Sequence, residues 1–153
     1  MSKFTDIVLF GKPEAALVAM FATACAAKAR PVFDALPNFD PSVDTVVYEM
    51  ALPFGRADIV IFHMDGSATV IEAKDGGSGV THVAQGIGQA CLYATQLMLK
   101  GRVARVHKVL MWTPTGVVDA DMLIDAACEA AGVLTLPHGT LKRHREALAE
   151  LAA

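Results

Sequence analysis

Two neighbouring apolar segments carry charged residues at one end, and this pattern constrains the fold more than any other feature. The first segment begins Gly55-Arg56-Ala57-Asp58, and the second finishes Ile71-Glu72-Ala73-Lys74. Both are rich in valine, isoleucine and alanine, and such runs are typical of buried strands. Because an unpaired buried charge is expensive, we expect Asp58, Glu72 and Lys74 to lie together for a functional reason.

The composition indicates one compact domain over residues 1–153. Hydrophobic residues make up 54% of the chain and charged residues 19%, which argues against disorder. The longest apolar run, residues 15–27, is shorter than the roughly 20 residues of a membrane-spanning helix and predicts a buried helix instead. The three cysteines form no Cys-x-x-Cys pair, which favours a reducing, cytoplasmic location.

Helix-like and strand-like segments are interleaved along the chain, which indicates an α/β layered domain. The glycine-rich residues 76–79 are predicted to be a flexible joint that serves as a hinge or as a close backbone approach to substrate. The predicted elements, in order, are helix 14–28, strands 45–50, 57–63 and 68–73, helix 80–99, strand 106–111, a helix capped by Asp119 and ended by Gly132, a short strand, and helix 141–151.

The loop Met64-Asp65-Gly66 predicts which side chains share a face of the sheet. A three-residue hairpin loop with Gly66 at positive φ places Asp58 opposite Glu72, with the two Cβ atoms about 5 Å apart. Lys74 then points to the same face, because strand side chains alternate. A two-residue turn would instead place Asp58 and Glu72 on opposite faces.

Two carboxylates that converge on one spot repel each other unless a cation lies between them. Oxygen ligands with a hydrated remainder suit Mg²⁺ or Mn²⁺, and the Ala73 carbonyl could supply a further ligand. Lys74 could orient a water molecule or stabilise charge on phosphorus oxygens, so the implied reaction is hydrolysis of a phosphodiester. The alternative is a simple ion cluster of Asp58, Glu72 and Lys74 at a strand end.

A polar stripe on the helix after the glycines adds a second feature. Gln85, Gln89 and Tyr93 recur at intervals of four and therefore lie along one helix face. Beside a metal site, these side chains could hold a phosphate or a base edge. An ordinary half-exposed helix face is the alternative.

Two basic runs could also contact phosphates. One comprises Lys100, Arg102, Arg105, His107 and Lys108, and the other is residues 142–145. The alternative for each is a solvated face with cations near helix ends. The formal net charge of −3 argues against wide, non-specific coating of nucleic acid.

Taken in order, Asp58, Glu72-Ala73-Lys74, Gln89 and Tyr93 resemble the PD-(D/E)XK nuclease superfamily, in particular its branch with a Gln-x-x-x-Tyr helix. The resemblance covers roughly residues 45–111. It implies a restriction-endonuclease-like three-layer core, in which a central mixed sheet is flanked by helices. The sequence departs from the family at Ala57, where a proline often precedes the aspartate.

The resemblance also implies roles for individual residues. Asp58 and Glu72 would ligate Mg²⁺ (or Mn²⁺), and Lys74 would assist the attacking water. Gln89 and Tyr93 would bind or position the nucleic-acid backbone near the metal. Two further residues, Gln85 and Arg56, are added as candidate nucleic-acid contacts.

The family often adds an acid from the first helix or strand, and two candidates exist. Glu14 opens the first helix, where a solvated glutamate at the helix start is the alternative reading. Glu49, near the end of the first strand, is the better-placed candidate in the sequence. The five histidines have no metal-type spacing, and no catalytic role is assigned to them.

The expected function is that of a metal-dependent nuclease that hydrolyses DNA, with endonuclease and exonuclease action both open. A homodimer or a partner protein could guide cleavage, and no association with a membrane is expected. The alternative is a catalytically silent module that keeps the nuclease fold and acts through a partner, and the acidic balance and the small size favour that module. A third, weaker hypothesis is a metal enzyme that acts on nucleotides or RNA.

Overall fold

The computed structural model describes residues 13–28, 34–36, 38–101 and 103–136. The predicted helix 141–151 and the basic run 142–145 lie outside the described residues. Within the described ranges the elements are α1 (Pro13–Ala26), β1 (Thr45–Leu52), β2 (Gly55–Phe62), β3 (Ala68–Lys74), α2 (Val80–Leu99), β4 (Val106–Trp112), α3 (Val118–Ala130) and β5 (Val133–Leu136).

The five strands form one open mixed sheet in the order β1-β2-β3-β4-β5. The first three strands pair antiparallel, while β3 with β4 and β4 with β5 pair parallel. Each parallel pair needs a crossover, and α2 and α3 provide these two connections. The α/β class predicted from the sequence is confirmed at this level.

The core is divided between the two faces of the sheet. On one face, Ile59 and Ile71 pack in a cluster with Phe21 of α1. On the other face, Val60 and Val70 pack in a cluster with α2, and α3 lies beside α2. Each of these side chains is 0% exposed, and full burial of one such side chain stabilises the fold by about 1.5–3 kcal/mol.

The predicted register of the β2–β3 hairpin is confirmed. Ile59 lies opposite Ile71 and Phe62 lies opposite Ala68. The loop between the strands is the predicted three-residue one, and its Gly66 has φ 86°. One further step along the ladder places Asp58 opposite Glu72, on the face covered by α2.

The prediction that Asp119 caps α3 is wrong. The helix begins one residue earlier, and Val117 at the N-cap position makes no side-chain capping bond. Instead, the Asp121 carboxylate accepts hydrogen bonds from the Thr115 N–H at 2.9 Å and hydroxyl at 2.8 Å, and these bonds fix the chain where it enters the helix. The predicted end of α3 is confirmed, because Gly132 follows the helix with φ 66°.

The prediction of a flexible joint at residues 76–79 is also wrong. Gly76–Ser78 form a 3₁₀ turn, and the Asp75 carboxylate accepts a hydrogen bond from the Gly77 N–H at 3.0 Å. Gly76 is buried, and a Cβ at this position would lie 2.0 Å from the Thr113 carbonyl oxygen. Glycine is needed here because the chain after β3 passes directly over the backbone that follows β4.

Lys108 in the first basic run has a structural role. Its ammonium group donates a hydrogen bond to the Ala131 carbonyl oxygen at 2.9 Å, at the C-terminal end of α3. A cation at this position is favourable because the helix dipole is negative there. Of the cysteines, Cys128 is buried, Cys25 and Cys91 are half-buried, and all three are free.

No helix in the described ranges combines the length and the apolar character that a membrane crossing requires.

Two glycine substitutions test the close approach at Gly76. We expect Gly76→Ala to lower the free energy of unfolding by about 1–3 kcal/mol, because the added methyl group overlaps fixed backbone. Gly88→Ala is the matched control: a Cβ there meets nothing within 4 Å, so we expect stabilisation of up to about 1 kcal/mol. Urea unfolding of both variants measures these changes, and equal effects of the two substitutions would contradict the proposed crowding.

Candidate active site at the end of the hairpin

Asp58 and Glu72, here called the acid pair, join β2 and β3 where the regular ladder ends. The Asp58 N–H donates a hydrogen bond to Glu72 Oε1 at 3.1 Å. In return, the Ala73 N–H donates to Asp58 Oδ2 at 2.8 Å. Side-chain carboxylates thus take the place of carbonyl acceptors, and the two strands are held with their acids side by side.

Burial raises the pKa of both members of the acid pair. For Asp58, burial outweighs the opposing effects of the Ala73 hydrogen bond and the nearby Lys74 charge, so the pKa is raised. For Glu72, which is 3% exposed, burial and the neighbouring Asp58 charge raise the pKa to about 8. At Glu72 burial and the Asp58 charge act in the same direction, so the acid pair retains a proton to a higher pH than two solvated carboxyls would.

Lys74 lies close enough to the acid pair to lower the pKa of both carboxyls electrostatically. Its aliphatic stem packs against α2 at Gly86, where an added Cβ would lie 2.7 Å from Lys74 Cγ and 2.6 Å from Leu110 Cδ1. The missing side chain at Gly86 therefore allows the helix to cover the stem of Lys74. The Lys74 carbonyl accepts a hydrogen bond from the Thr113 N–H at 3.2 Å, which fixes the backbone at this position.

Solvent exposure decreases along the predicted polar stripe of α2. Gln85 is exposed, Gln89 is half-buried and Tyr93 is 6% exposed. The Gln89 Oε1 atom is buried and has no hydrogen-bond partner among the described residues. A buried acceptor without a donor costs free energy, so Gln89 is the member of the stripe with an unused bonding group.

Tyr93 connects the acid pair to the start of β2. Its hydroxyl lies close enough to the Arg56 backbone N–H for that group to lower the pKa of Tyr93, and a Cβ at Gly55 would lie 2.6 Å from the hydroxyl oxygen. Burial raises the pKa of Tyr93, and the nearby charges of Glu72 and Asp58 raise it further. Tyr93 therefore packs against the backbone of β2 near the acid pair and has little surface available to a ligand.

The two candidate additional acids have different surroundings. Glu14 hydrogen-bonds through Oε1 to Nε2 of His82 at 2.5 Å, and its charge raises the pKa of Asp58. Glu49 forms an ion pair with Arg56 at 3.9 Å, in which the two side chains are 73% and 65% exposed. The structure therefore brings Glu14 within electrostatic range of the acid pair, while the recorded contact of Glu49 is with Arg56.

The chemistry of the site fits a hard divalent cation. Glu72 is buried, Asp58 is half-buried, and both have raised pKa values. A divalent cation would stabilise the charged form of both carboxylates and take the place of the proton. Ala73 donates its N–H toward Asp58, and its carbonyl faces the same neighbour because both groups of a strand residue point to one side. Among the described residues, no three Asp, Glu, His or Cys side chains form a ready-made metal cluster, so backbone and water ligands would complete the shell.

His82 and Gly86 are the residues of this site that the sequence did not identify. His82 lies seven residues, about two helical turns, before Gln89, so both are on the same face of α2. That spacing is the sequence signal that links His82 to the stripe. Its partner Glu14 is 68 residues away in the chain, and no local pattern connects the two.

No protein-family model matches the chain, and the curated proteins compared with it gave no match either. Function is therefore inferred from the acid pair, Lys74 and their surroundings.

The raised pKa of Glu72 predicts how the metal-free protein responds to pH. The folded-state pKa of about 8 exceeds the unfolded value of about 4.3, so the stabilising contribution is complete below the unfolded value and is lost as pH rises toward 8. We expect Glu72→Gln, which keeps a neutral hydrogen-bonding group, to be more stable than the wild type by about 2–4 kcal/mol near pH 8, with little difference near pH 4.

Urea unfolding in the presence of a chelator, at several pH values between 4 and 8, measures the difference in stability between Glu72→Gln and the wild type. Glu49→Gln is the matched control, since Glu49 is an exposed acid. A stability difference between Glu72→Gln and the wild type that does not change with pH would contradict the raised pKa of Glu72.

Proposed function

We propose that the protein is a Mg²⁺-dependent nuclease that hydrolyses phosphodiester bonds in DNA, with a restriction-endonuclease-like core of the PD-(D/E)XK type. The observation that carries the proposal is the acid pair, in which the buried Glu72 and the half-buried Asp58 are held side by side by reciprocal hydrogen bonds next to Lys74. The open mixed sheet with helices on both faces is compatible with such a core.

Asp58, Glu72 and the Ala73 carbonyl are the proposed ligands of Mg²⁺ or Mn²⁺. When bound, the cation supplies a Lewis acid that polarises the phosphate and lowers the pKa of a coordinated water. Glu72 gives up its proton when the cation binds, so metal affinity rises with pH up to the pKa of this group, about 8. The hydrogen bond from the Ala73 N–H keeps Asp58 in position during that exchange.

Lys74 is the proposed group that acts on the reacting atoms. Its ammonium group can hydrogen-bond the attacking water and the non-bridging phosphate oxygens, where charge builds up as the new P–O bond forms and the ester P–O bond breaks. Its stem is packed against α2 at Gly86, which restricts the directions that the ammonium group can take. A catalytic group with restricted motion loses less entropy when the substrate binds.

Glu14 is the better-supported third acid. The charge of Glu14 raises the pKa of Asp58, whereas the exposed Glu49 is paired with Arg56. Glu14 comes from a helix on the opposite face of the sheet from α2 and bonds to His82 in the first turn of α2.

Four residues are predicted from the sequence to contact nucleic acid, and direct contacts are proposed for those that are exposed or have an unused hydrogen-bonding group. Arg56 is 65% exposed and forms a long ion pair, so its guanidinium can contact a phosphate. Gln85 is exposed on α2, and Gln89 has an unused acceptor. Tyr93 acts indirectly, through the backbone that it braces. A homodimer or a partner protein would let two sites act on two strands.

Cleavage of a panel of DNA substrates tests the proposal. The panel contains linear, single-stranded, nicked, flapped and four-way-junction DNA, each with Mg²⁺ or Mn²⁺. We expect metal-dependent cleavage by the wild type and a rate at least about 100-fold lower for Lys74→Ala, because that variant lacks the group that stabilises the developing charge. Lys28→Ala, at an exposed lysine outside both basic runs, is the matched control and should cleave as the wild type does.

Metal binding that depends on Asp58 and Glu72 but brings no cleavage of any substrate would instead favour the catalytically silent module. The absence of both metal binding and cleavage would contradict the proposed metal site.

Metal titration calorimetry without DNA distinguishes the two additional acids. We expect Glu14→Gln to weaken Mn²⁺ binding on the order of tenfold, because it removes a negative charge close to Asp58. Glu49→Gln is expected to change the affinity less than twofold, since this side chain lies in solvent beside Arg56. The reverse order would assign the third acid to β1.

A further inference from the structure

The β1–β2 turn, made of Pro53 and Phe54, places a large aromatic side chain in solvent. Leu52 pairs with Gly55, so the turn contains two residues between the strands. The Phe54 residue is 74% exposed. Exposed apolar residues occur singly on most proteins, so exposure alone says little about function.

The backbone of Phe54, in contrast to its side chain, is tightly held. Its N–H donates to Gln96 Oε1 at 3.0 Å, and its carbonyl accepts from Gln96 Nε2 at 3.0 Å. One amide side chain of α2 thus bonds both backbone groups of the residue at the tip. The ring of Pro53 fixes φ at the preceding position and further limits the turn.

The next residue lies against the same helix. Gly55, with φ 110°, packs against the ring of Tyr93. Phe54 and Gly55 are therefore both held against α2, while the phenyl ring of Phe54 remains in solvent. An aromatic ring on a rigid support loses little conformational entropy when a ligand stacks on it.

The turn is near the acid pair and on the same side of the sheet. Phe54 precedes Asp58 by four residues, which corresponds to about 13 Å along β2, or a few nucleotides along a strand. Arg56 lies between the two positions with its side chain 65% exposed. An aromatic platform followed by an arginine is the combination that binds unpaired bases and their phosphates.

We infer that Phe54 is a stacking platform for an unpaired nucleobase and directs the site to DNA that contains single-stranded nucleotides, such as an overhang or a flap. This inference rests on the proposed nuclease function and specifies the substrate class. Arg56 holds the phosphate next to the stacked base, and Gln96 keeps the platform at a fixed distance from the acid pair. A blunt duplex has no free base to place on Phe54.

Tryptophan fluorescence tests the platform directly. Phe54→Trp is made together with Lys74→Ala, so that a short oligothymidylate is bound without being cut. The chain has one tryptophan, Trp112, which is 5% exposed and gives the background signal in the parent protein. We expect saturable quenching by the oligonucleotide in the Phe54→Trp protein and no comparable change in the parent.

Affinities from labelled-oligonucleotide anisotropy complete the test. Phe54→Ala is expected to weaken binding of single-stranded DNA roughly 5- to 100-fold, the effect of losing one base stack, and to leave blunt duplex binding within twofold. Met64→Ala is the matched control, since Met64 is 75% exposed at the tip of the other hairpin. Gln96→Ala should give a smaller loss that does not add to that of Phe54→Ala.

The outcomes separate this inference from the nuclease proposal. Equal affinities of Phe54→Ala and Met64→Ala for single-stranded DNA, or no quenching at saturating oligonucleotide, would overturn the platform, whether or not the wild type cleaves DNA. Quenching with selective loss in Phe54→Ala supports the platform even if no metal-dependent cleavage is found. In that case the site binds unpaired bases and the nuclease proposal falls.

Discussion

The reciprocal hydrogen bonds of the acid pair are the constraint on which the rest of the structure depends. Asp58 and Glu72 replace the ladder at the end of the β2–β3 hairpin, and their separation is fixed by the register of that hairpin. A slip of one residue would move Asp58 to the α1 face and leave Glu72 buried alone. The pairing of Asp58 with Glu72 therefore also determines the positions of Lys74, Tyr93 and the chain after β3.

Helix α2 covers one side of the site, and its sequence explains how it can pack closely against the sheet. Residues 80–99 contain no aspartate, glutamate, lysine or arginine, so the helix can lie against the sheet without burying a formal charge of its own. Gly86 allows close contact with Lys74, while Tyr93 and Gln96 fasten the start of β2 to the helix. His82 at its first turn bonds to Glu14 from the opposite layer.

Much of the fold and of the acid pair followed from local sequence signals, and the remainder did not. The strands, the three-residue loop at Gly66 and the end of α3 at Gly132 depend on short-range patterns and were predicted correctly. The burial of Tyr93 and the bond between Glu14 and His82 depend on how distant elements pack. The role of Gly76 was misread because a glycine that permits close backbone contact has the same local signature as one that permits motion.

The short separation of the acid pair along the chain has a consequence for the order of folding. Asp58 and Glu72 are 14 residues apart, so the hairpin can bring them together at a small loop-closure cost. Lys74 is on the same strand as Glu72, whereas α2 is part of the crossover that the parallel pairing of β3 with β4 requires and covers the acids later. We therefore expect the acids to meet while still hydrated and to lose water when α2 docks. Because burial disfavours the charged form of both carboxyls, docking of the helix is expected to be favoured by anything that offsets one of these charges, whether a proton or a bound cation.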